Sequence, residues 1–125
     1  MAMMTVLGMM SGTSMDGVDA ACLITDGEII AGFGPTLYRP YTAEERAAIR
    51  AALAAARSVS HREARPPALA EAEALVTEAH AAAIAQWKGE NPGVALDLIG
   101  FHGQTVFHAP ERRMTIQLGD GRELA

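Results

Sequence analysis

At 125 residues the chain is long enough for one domain or part of one, and half of it is hydrophobic, which excludes global disorder. A net charge of −5 and a pI near 5.3 exclude nucleic acid or an anionic membrane as the main partner. Cys22 is the only cysteine, so no internal disulfide can form and a reducing compartment fits.

The apolar opening MAMMTVLGMM lacks a basic leader and runs straight into polar residues, so no signal peptide is expected. No segment approaches a membrane span, and the chain reads as soluble and cytoplasmic. Met4 to Met10 suits a buried strand. Val18 to Ile24 suits a second, with Val18, Ala20, Cys22 and Ile24 on one face. The short Asp26-Gly27 turn predicts a hairpin to a third strand over about Glu28 to Tyr38. Gly32, Gly34 and Pro35 interrupt that strand, as at a bulge or a sheet edge. Three antiparallel strands in a meander follow.

Thr42-Ala43-Glu44-Glu45 is a capping box opening a helix to about Ala56, with Ile49 and Leu53 on its buried face. A polar link from Ser58 to Arg65 leads to Pro66-Pro67, residues suited to a first helical turn. Leu69, Ala72, Val76, Ala79, Ala83 and Trp87 then recur at helical spacing until Gly89 and Pro92 stop the helix. Val94 to Phe101 (VALDLIGF) reads as a strand buried on both faces and parallel to a neighbour. HGQTVFHAP reads as a second polar loop and Met114 to Leu118 as a short strand. Gly119-Asp120-Gly121 reads as a turn opening a helix. The expected fold is α/β, the first half of a ribonuclease-H-like core with a right-handed crossover, incomplete at its C-terminus and without an internal domain boundary.

The loop SGTSMDGVD carries more polar chemistry than a hairpin needs. Gly12 and Gly17 permit positive φ and close approach to a ligand. Successive N–H groups in such a turn form an anion-binding concavity, to which Thr13 and Ser14 add hydroxyls. Asp16 and Asp19 suit Mg²⁺ or its water shell beside a phosphate. No lysine is present, so this is no Walker A loop. The competing reading is a hydroxyl-rich turn with Asp16 bonded to nearby backbone.

In the second loop, His102, Gln104 and Thr105 offer hydrogen bonds to sugar hydroxyls or an N-acetyl carbonyl, while His108 suits a structural bond. A transition-metal site would need more ligands than these and the distant His61 and His80. A Ser14–His102–Asp120 triad is disfavoured because Gly12-Thr13-Ser14-Met15-Asp16 is no nucleophile elbow.

GMMSGTSMDGVDAACL, IGFHGQTVFHAP and TIQLGDGRELA, in that order, resemble the amino-terminal part of the anhydro-N-acetylmuramic acid kinase family. The resemblance implies a two-domain enzyme of the actin/hexokinase/Hsp70 class. It would open the 1,6-anhydro ring of its amino sugar with water and phosphorylate O6 using ATP and Mg²⁺, in bacterial cell-wall recycling. It assigns Gly12, Thr13, Ser14, Met15, Asp16, Gly17, Val18 and Asp19 to the phosphate loop, with Asp16 and Asp19 serving Mg²⁺. His102, Gly103, Gln104, Thr105 and Asp120 fall near the sugar cleft. Family members run far beyond residue 125, and the expected general-base aspartate falls there, so no catalytic residue is assigned and the chain alone is expected to be inactive. An alternative is a non-catalytic or chaperone-like nucleotide-binding module. An exposed sheet edge would favour homodimerisation or other self-association.

Overall fold

Two periodicities of the sequence separate in space, one building a sheet and the other a helical layer over it. The computed structural model describes residues 2–12 and 14–125. The strands are β1 (Met4–Ser11), β2 (Gly17–Thr25), β3 (Ile30–Pro40), β4 (Leu98–Ala109) and β5 (Met114–Leu118). The helices are α1 (Ala43–Ala56), α2 (Pro67–Glu90) and the single turn α3 (Gly121–Leu124). All five strands form one sheet in the order β3-β2-β1-β4-β5. β1 to β3 are the expected antiparallel meander, and β4 runs parallel to β1 after the crossover through α1 and α2. This is the α/β arrangement expected from the sequence.

Alternation sets which side of the sheet is covered. Leu7, Met9, Val18, Ala20 and Cys22 face the helices and pack with Val76, Ala79, Ala83 and Trp87 of α2. A second cluster joins Ala52 and Ala56 of α1 to Leu69, Ala72, Ile116 and Leu118. Alanines at these positions let helix and sheet backbones approach closely. All six residues of the expected α2 stripe are buried, and on α1 Ile49 is buried while Leu53 is only half so. The capping box forms: Glu45 N–H donates to Thr42 Oγ1 at 3.1 Å and Thr42 N–H donates to Glu45 Oε1 at 2.9 Å. The Glu45 carboxyl is pushed up by burial, but the Thr42 backbone and the Arg39 guanidinium outweigh this and hold it below its usual value.

Two expectations about the fourth strand need correction. Val94 to Asp97 lie outside it: Asp97 N–H donates to Thr5 O, and Thr5 N–H donates to the Asp97 carboxylate, both at 2.8 Å. That reciprocal pair brings the chain into register, and the ladder runs from Leu98. Nor is the strand buried on both faces, since Leu98, Gly100 and His102 are exposed. The second correction is that HGQTVFHAP is no loop. His102 to Ala109 continue β4 and pair with β5, from Gln104 opposite Leu118 to Ala109 opposite Met114. Thr, Val and Phe favour strands, and the hairpin partner decides the state of the polar residues among them. Gly103, at φ 77°, is required there, because a Cβ would lie 2.2 Å from the Leu118 carbonyl oxygen.

His80 stands on the covered side of α2 with its ring fully buried. Nδ1 lies 2.7 Å from the Val76 carbonyl, Nε2 has no described partner, and Phe101 packs edge-on at 4.8 Å between centroids. Burial lowers its pKa from the ordinary 6.5, the Val76 bond opposes this, and the Arg39 charge adds to the lowering. The unfolded chain binds a proton near pH 6.5 and the folded chain only at lower pH, so stability is complete above that value and falls as pH drops below it. Urea midpoints measured from pH 7.5 to 5 should decline for the native chain and flatten in His80→Leu.

Candidate functional site

The loop joining β1 to β2 is held from two sides by main-chain and side-chain bonds. Tyr41 N–H, at the end of β3, donates to the Asp16 carbonyl at 2.8 Å. From β4, Gln104 Nε2 donates to the Gly12 carbonyl at 3.2 Å. Beneath the loop is a buried polar chain: the Ser11 hydroxyl lies 2.8 Å from the Tyr41 hydroxyl and donates to Gln104 Oε1. Burial pushes the Tyr41 phenol above its ordinary pKa of 10, which the Ser11 bond partly offsets. Ser11 and Gln104 are themselves buried, so the three side chains satisfy one another where water cannot.

Above this floor the loop is open. Ser14 and Asp16 are exposed, and a Cβ added at Gly12 would meet only Ser14 Oγ, at 3.9 Å. Met15 N–H is taken by the Gly12 carbonyl at 3.1 Å. Among the described residues, the N–H groups of Ser14 and Asp16 have no protein acceptor, while strand pairing turns the Gly12 N–H toward the Gly17 carbonyl. The expected positive φ at Gly12 and Gly17 is not found; the left-handed residue is Met15, at φ 58°. Gly17 is needed for another reason, since a Cβ would lie 2.4 Å from the Arg39 carbonyl oxygen of the neighbouring strand. Val18 is buried in the core and anchors the loop's far end, and Asp19 is exposed on the uncovered face. Thr13 lies outside the described residues.

The other expected site residues divide. Gln104 reaches the loop, but its amide is spent on Ser11, on the Gly12 carbonyl and on the Thr105 carbonyl. His102 is exposed on the uncovered face, with Nε2 3.2 Å from the Gln117 amide nitrogen. It shares a shallow cavity of about 430 Å³ with Gly8, Met9, Met10, Asp19 and Ala21. Thr105 is half-buried beside Gln104. Asp120 is elsewhere: its carboxylate caps α3 through the N–H groups of Arg122 (3.0 Å) and Glu123 (3.2 Å), and its own N–H donates to Thr77 Oγ1. No hydrogen bond joins Ser14, His102 and Asp120 among the described residues, so no triad is assembled. His108 bonds Thr115 Oγ1 across the hairpin at 2.8 Å, a structural role. No cluster of three or more His, Cys, Asp or Glu residues is placed to hold a metal among the described residues.

Sequence reasoning missed Tyr41. Its one signal is position, an aromatic residue between Pro40 and the capping box, where a side chain is turned back toward the sheet.

The chain is a mixed α/β sheet whose first strand ends in a loop braced by Gln104 and Tyr41. The family profile described as anhydro-N-acetylmuramic acid kinase matches residues 4–125. The chain belongs to that family. Proteins of that name from Rhodopseudomonas palustris and Bradyrhizobium diazoefficiens are 53% and 52% identical over 98% of this chain. One from Methylorubrum extorquens is 45% identical over 100% of it. The chain spans only about a third of these relatives' length, 34% to 36%. Among the described residues, no helix is long and apolar enough to cross a membrane.

Proposed function

We propose that the loop from Gly12 to Asp19 holds the phosphates of ATP, and that the chain is the N-terminal part of the nucleotide-binding domain of a two-domain cytoplasmic sugar kinase. The reaction assigned takes 1,6-anhydro-N-acetylmuramic acid, water and ATP with Mg²⁺ to N-acetylmuramate 6-phosphate, in cell-wall recycling. One observation supports this above the others: in a chain of this kinase family, the Ser14 and Asp16 N–H groups, without a described acceptor, sit on a loop braced by Gln104 and Tyr41.

Bound ATP with Mg²⁺ would supply the phosphoryl group and the cation that offsets its charge during transfer. The loop N–H groups and the Ser14 hydroxyl donate to phosphate oxygens, as preorganised donors that need not reorient. The carboxylates of Asp16 and Asp19, both exposed, accept hydrogen bonds from the cation's water shell. His102 offers an imidazole to sugar hydroxyls, and Gln104 acts through the loop it holds. Neither Asp16, Asp19 nor Asp120 is assigned as the base that activates water, so the 125 residues by themselves are inactive in this reading.

Amide NMR of this chain titrated with ATP and Mg²⁺ should move the Ser14 and Asp16 resonances first. Asp16→Ala should raise the apparent Kd about tenfold, the equivalent of ~1.4 kcal/mol. A folded chain whose loop resonances stay fixed at millimolar nucleotide would refute the assignment. In a family-length relative, ATP turnover independent of the anhydro sugar would favour the chaperone-like module instead.

A further inference from the structure

The link that precedes α2 and the hairpin turn between β4 and β5 meet in space. Ala109 pairs opposite Met114, and a 3₁₀ turn over Pro110–Arg112 joins the two strands. Arg112 and Arg113 of that turn line a cavity of about 240 Å³ with Ser60, His61 and Arg62 of the link, together with Met114. The cavity gathers three guanidinium groups and no carboxylate, in a chain where 15 acidic residues outnumber 10 Lys and Arg. A second cavity of about 410 Å³ shares Arg62, Arg113 and Met114 and adds Glu63.

The donors of this cluster are uncommitted. Arg39 and Arg65 are paired with Glu45 and Glu73, but among the described residues none of the three gathered guanidinium groups has an acceptor. Arg112 lies over the Phe107 ring, 5.2 Å from its centroid, a contact that holds it without an acceptor. His61 Nδ1 accepts from the Glu63 N–H at 3.1 Å, so in the neutral ring the proton sits on Nε2, a further donor. Arg113 stands in the left-handed region at φ 54°, with its N–H held by the Pro110 carbonyl at 2.9 Å. Met15, in the Gly12–Asp19 loop, is the other non-glycine residue in that region among those described. Such backbone costs free energy and concentrates at ligand sites. A tetrahedral oxyanion meets a guanidinium fork through paired N–H···O bonds and offsets the repulsion among gathered cations.

We propose that this cavity binds a phosphoryl dianion, free or carried on a small monoester, at a site separate from the Gly12–Asp19 loop. Arg62 donates from the link and Arg113 from the hairpin, while Arg112 and the His61 Nε2–H complete the cradle. The bound group ties the link to the hairpin. No residue of the Gly12–Asp19 loop lines either cavity, so the inference stands whatever that loop binds. A cavity of this size takes a single phosphoryl group and not a polynucleotide, which the net charge of −5 would repel.

Amide NMR of this chain, titrated with inorganic phosphate at constant ionic strength, tests it. The resonances of His61, Arg62, Arg113 and Met114 should move together and saturate. Arg62→Gln and Arg113→Gly, the latter keeping the left-handed backbone, should each raise the phosphate Kd about tenfold. Arg122→Gln makes the same change of charge at the other end of β5 and should leave it unaltered. Glucose 6-phosphate in place of phosphate separates the two sources. Tighter binding of the ester marks a metabolite site, and tighter binding of phosphate a site for the free anion. Shifts that chloride reproduces at equal ionic strength, or that Arg122→Gln weakens equally, mean a surface field only and overturn the proposal. So do shifts confined to Ser14 and Asp16, which would put phosphate in the loop and leave the nucleotide assignment standing.

Discussion

Trp87→Ala should lower the unfolding free energy by about 3–5 kcal/mol, the range for removing a fully buried tryptophan. Trp87 is 0% exposed and sits in the last turns of α2, against the cluster built on Leu7, Met9, Val18, Ala20 and Cys22. Its Nε1–H donates to the Pro35 carbonyl at 2.9 Å, so one side chain both fills the core and ties α2 to the edge strand β3. The neighbours Ala79 and Ala83 are too short to close the resulting void. Because the tryptophan is the only one in the chain, the transition is followed by circular dichroism, not fluorescence. The urea midpoint should fall with an unchanged slope, the signature of lost stability in an otherwise similar fold. Trp87→Phe separates the two contributions: it keeps most of the apolar volume and leaves the Pro35 carbonyl without its donor. Its cost should be less than half that of alanine. Equal costs would mean that the hydrogen bond, not the volume, holds the helix.

The elements that read correctly are those whose signals are local. Thr42 and Glu45 announce a helix start because both halves of the capping box lie within one turn of chain. The α2 stripe is legible because a 3.6-residue period survives even when half of its members are alanine. β4 is not local. Gln104, Thr105 and His108 have the composition of a loop, and pairing with Met114–Leu118 turns them into a strand. The polar letters also point in different directions. Gln104 faces inward because acceptors and donors from Ser11 and Gly12, more than ninety residues away, satisfy it there. His102 faces outward beside Asp19 because strand alternation sends it to the uncovered side. Neither outcome can be read from the stretch itself. At Gly17 the residue was legible but its reason was not: the close neighbour is the Arg39 carbonyl of β3, a contact set by sheet register.

Ser11→Ala should cost more stability than Gln104→Leu, although it removes the smaller side chain. Ser11 is the middle of the buried chain: its hydroxyl meets the Tyr41 hydroxyl at 2.8 Å and donates to Gln104 Oε1. Alanine there orphans two buried polar groups, each worth roughly 1–3 kcal/mol when left unpaired. Gln104→Leu leaves the terminal hydroxyl donor without an acceptor and takes one donor from the Thr105 carbonyl, while the Gly12 carbonyl keeps its bond from Met15 N–H at 3.1 Å. The effects should not add. A double-mutant cycle on the two positions should return a coupling of about 0.5–3 kcal/mol, as expected of residues sharing one network. The loop responds differently from the global fold. Gln104→Leu removes the brace on the Gly12 carbonyl, so exchange at the Ser14 and Asp16 amides should quicken even where the urea midpoint moves little. In a family-length kinase the same substitution should raise KM for ATP more than it lowers kcat, because the loop must be ordered at the cost of binding energy. A neutral Ser11→Ala, or a loop whose exchange is indifferent to Gln104, would mean that the strand ends alone shape the loop and the buried side chains are bystanders.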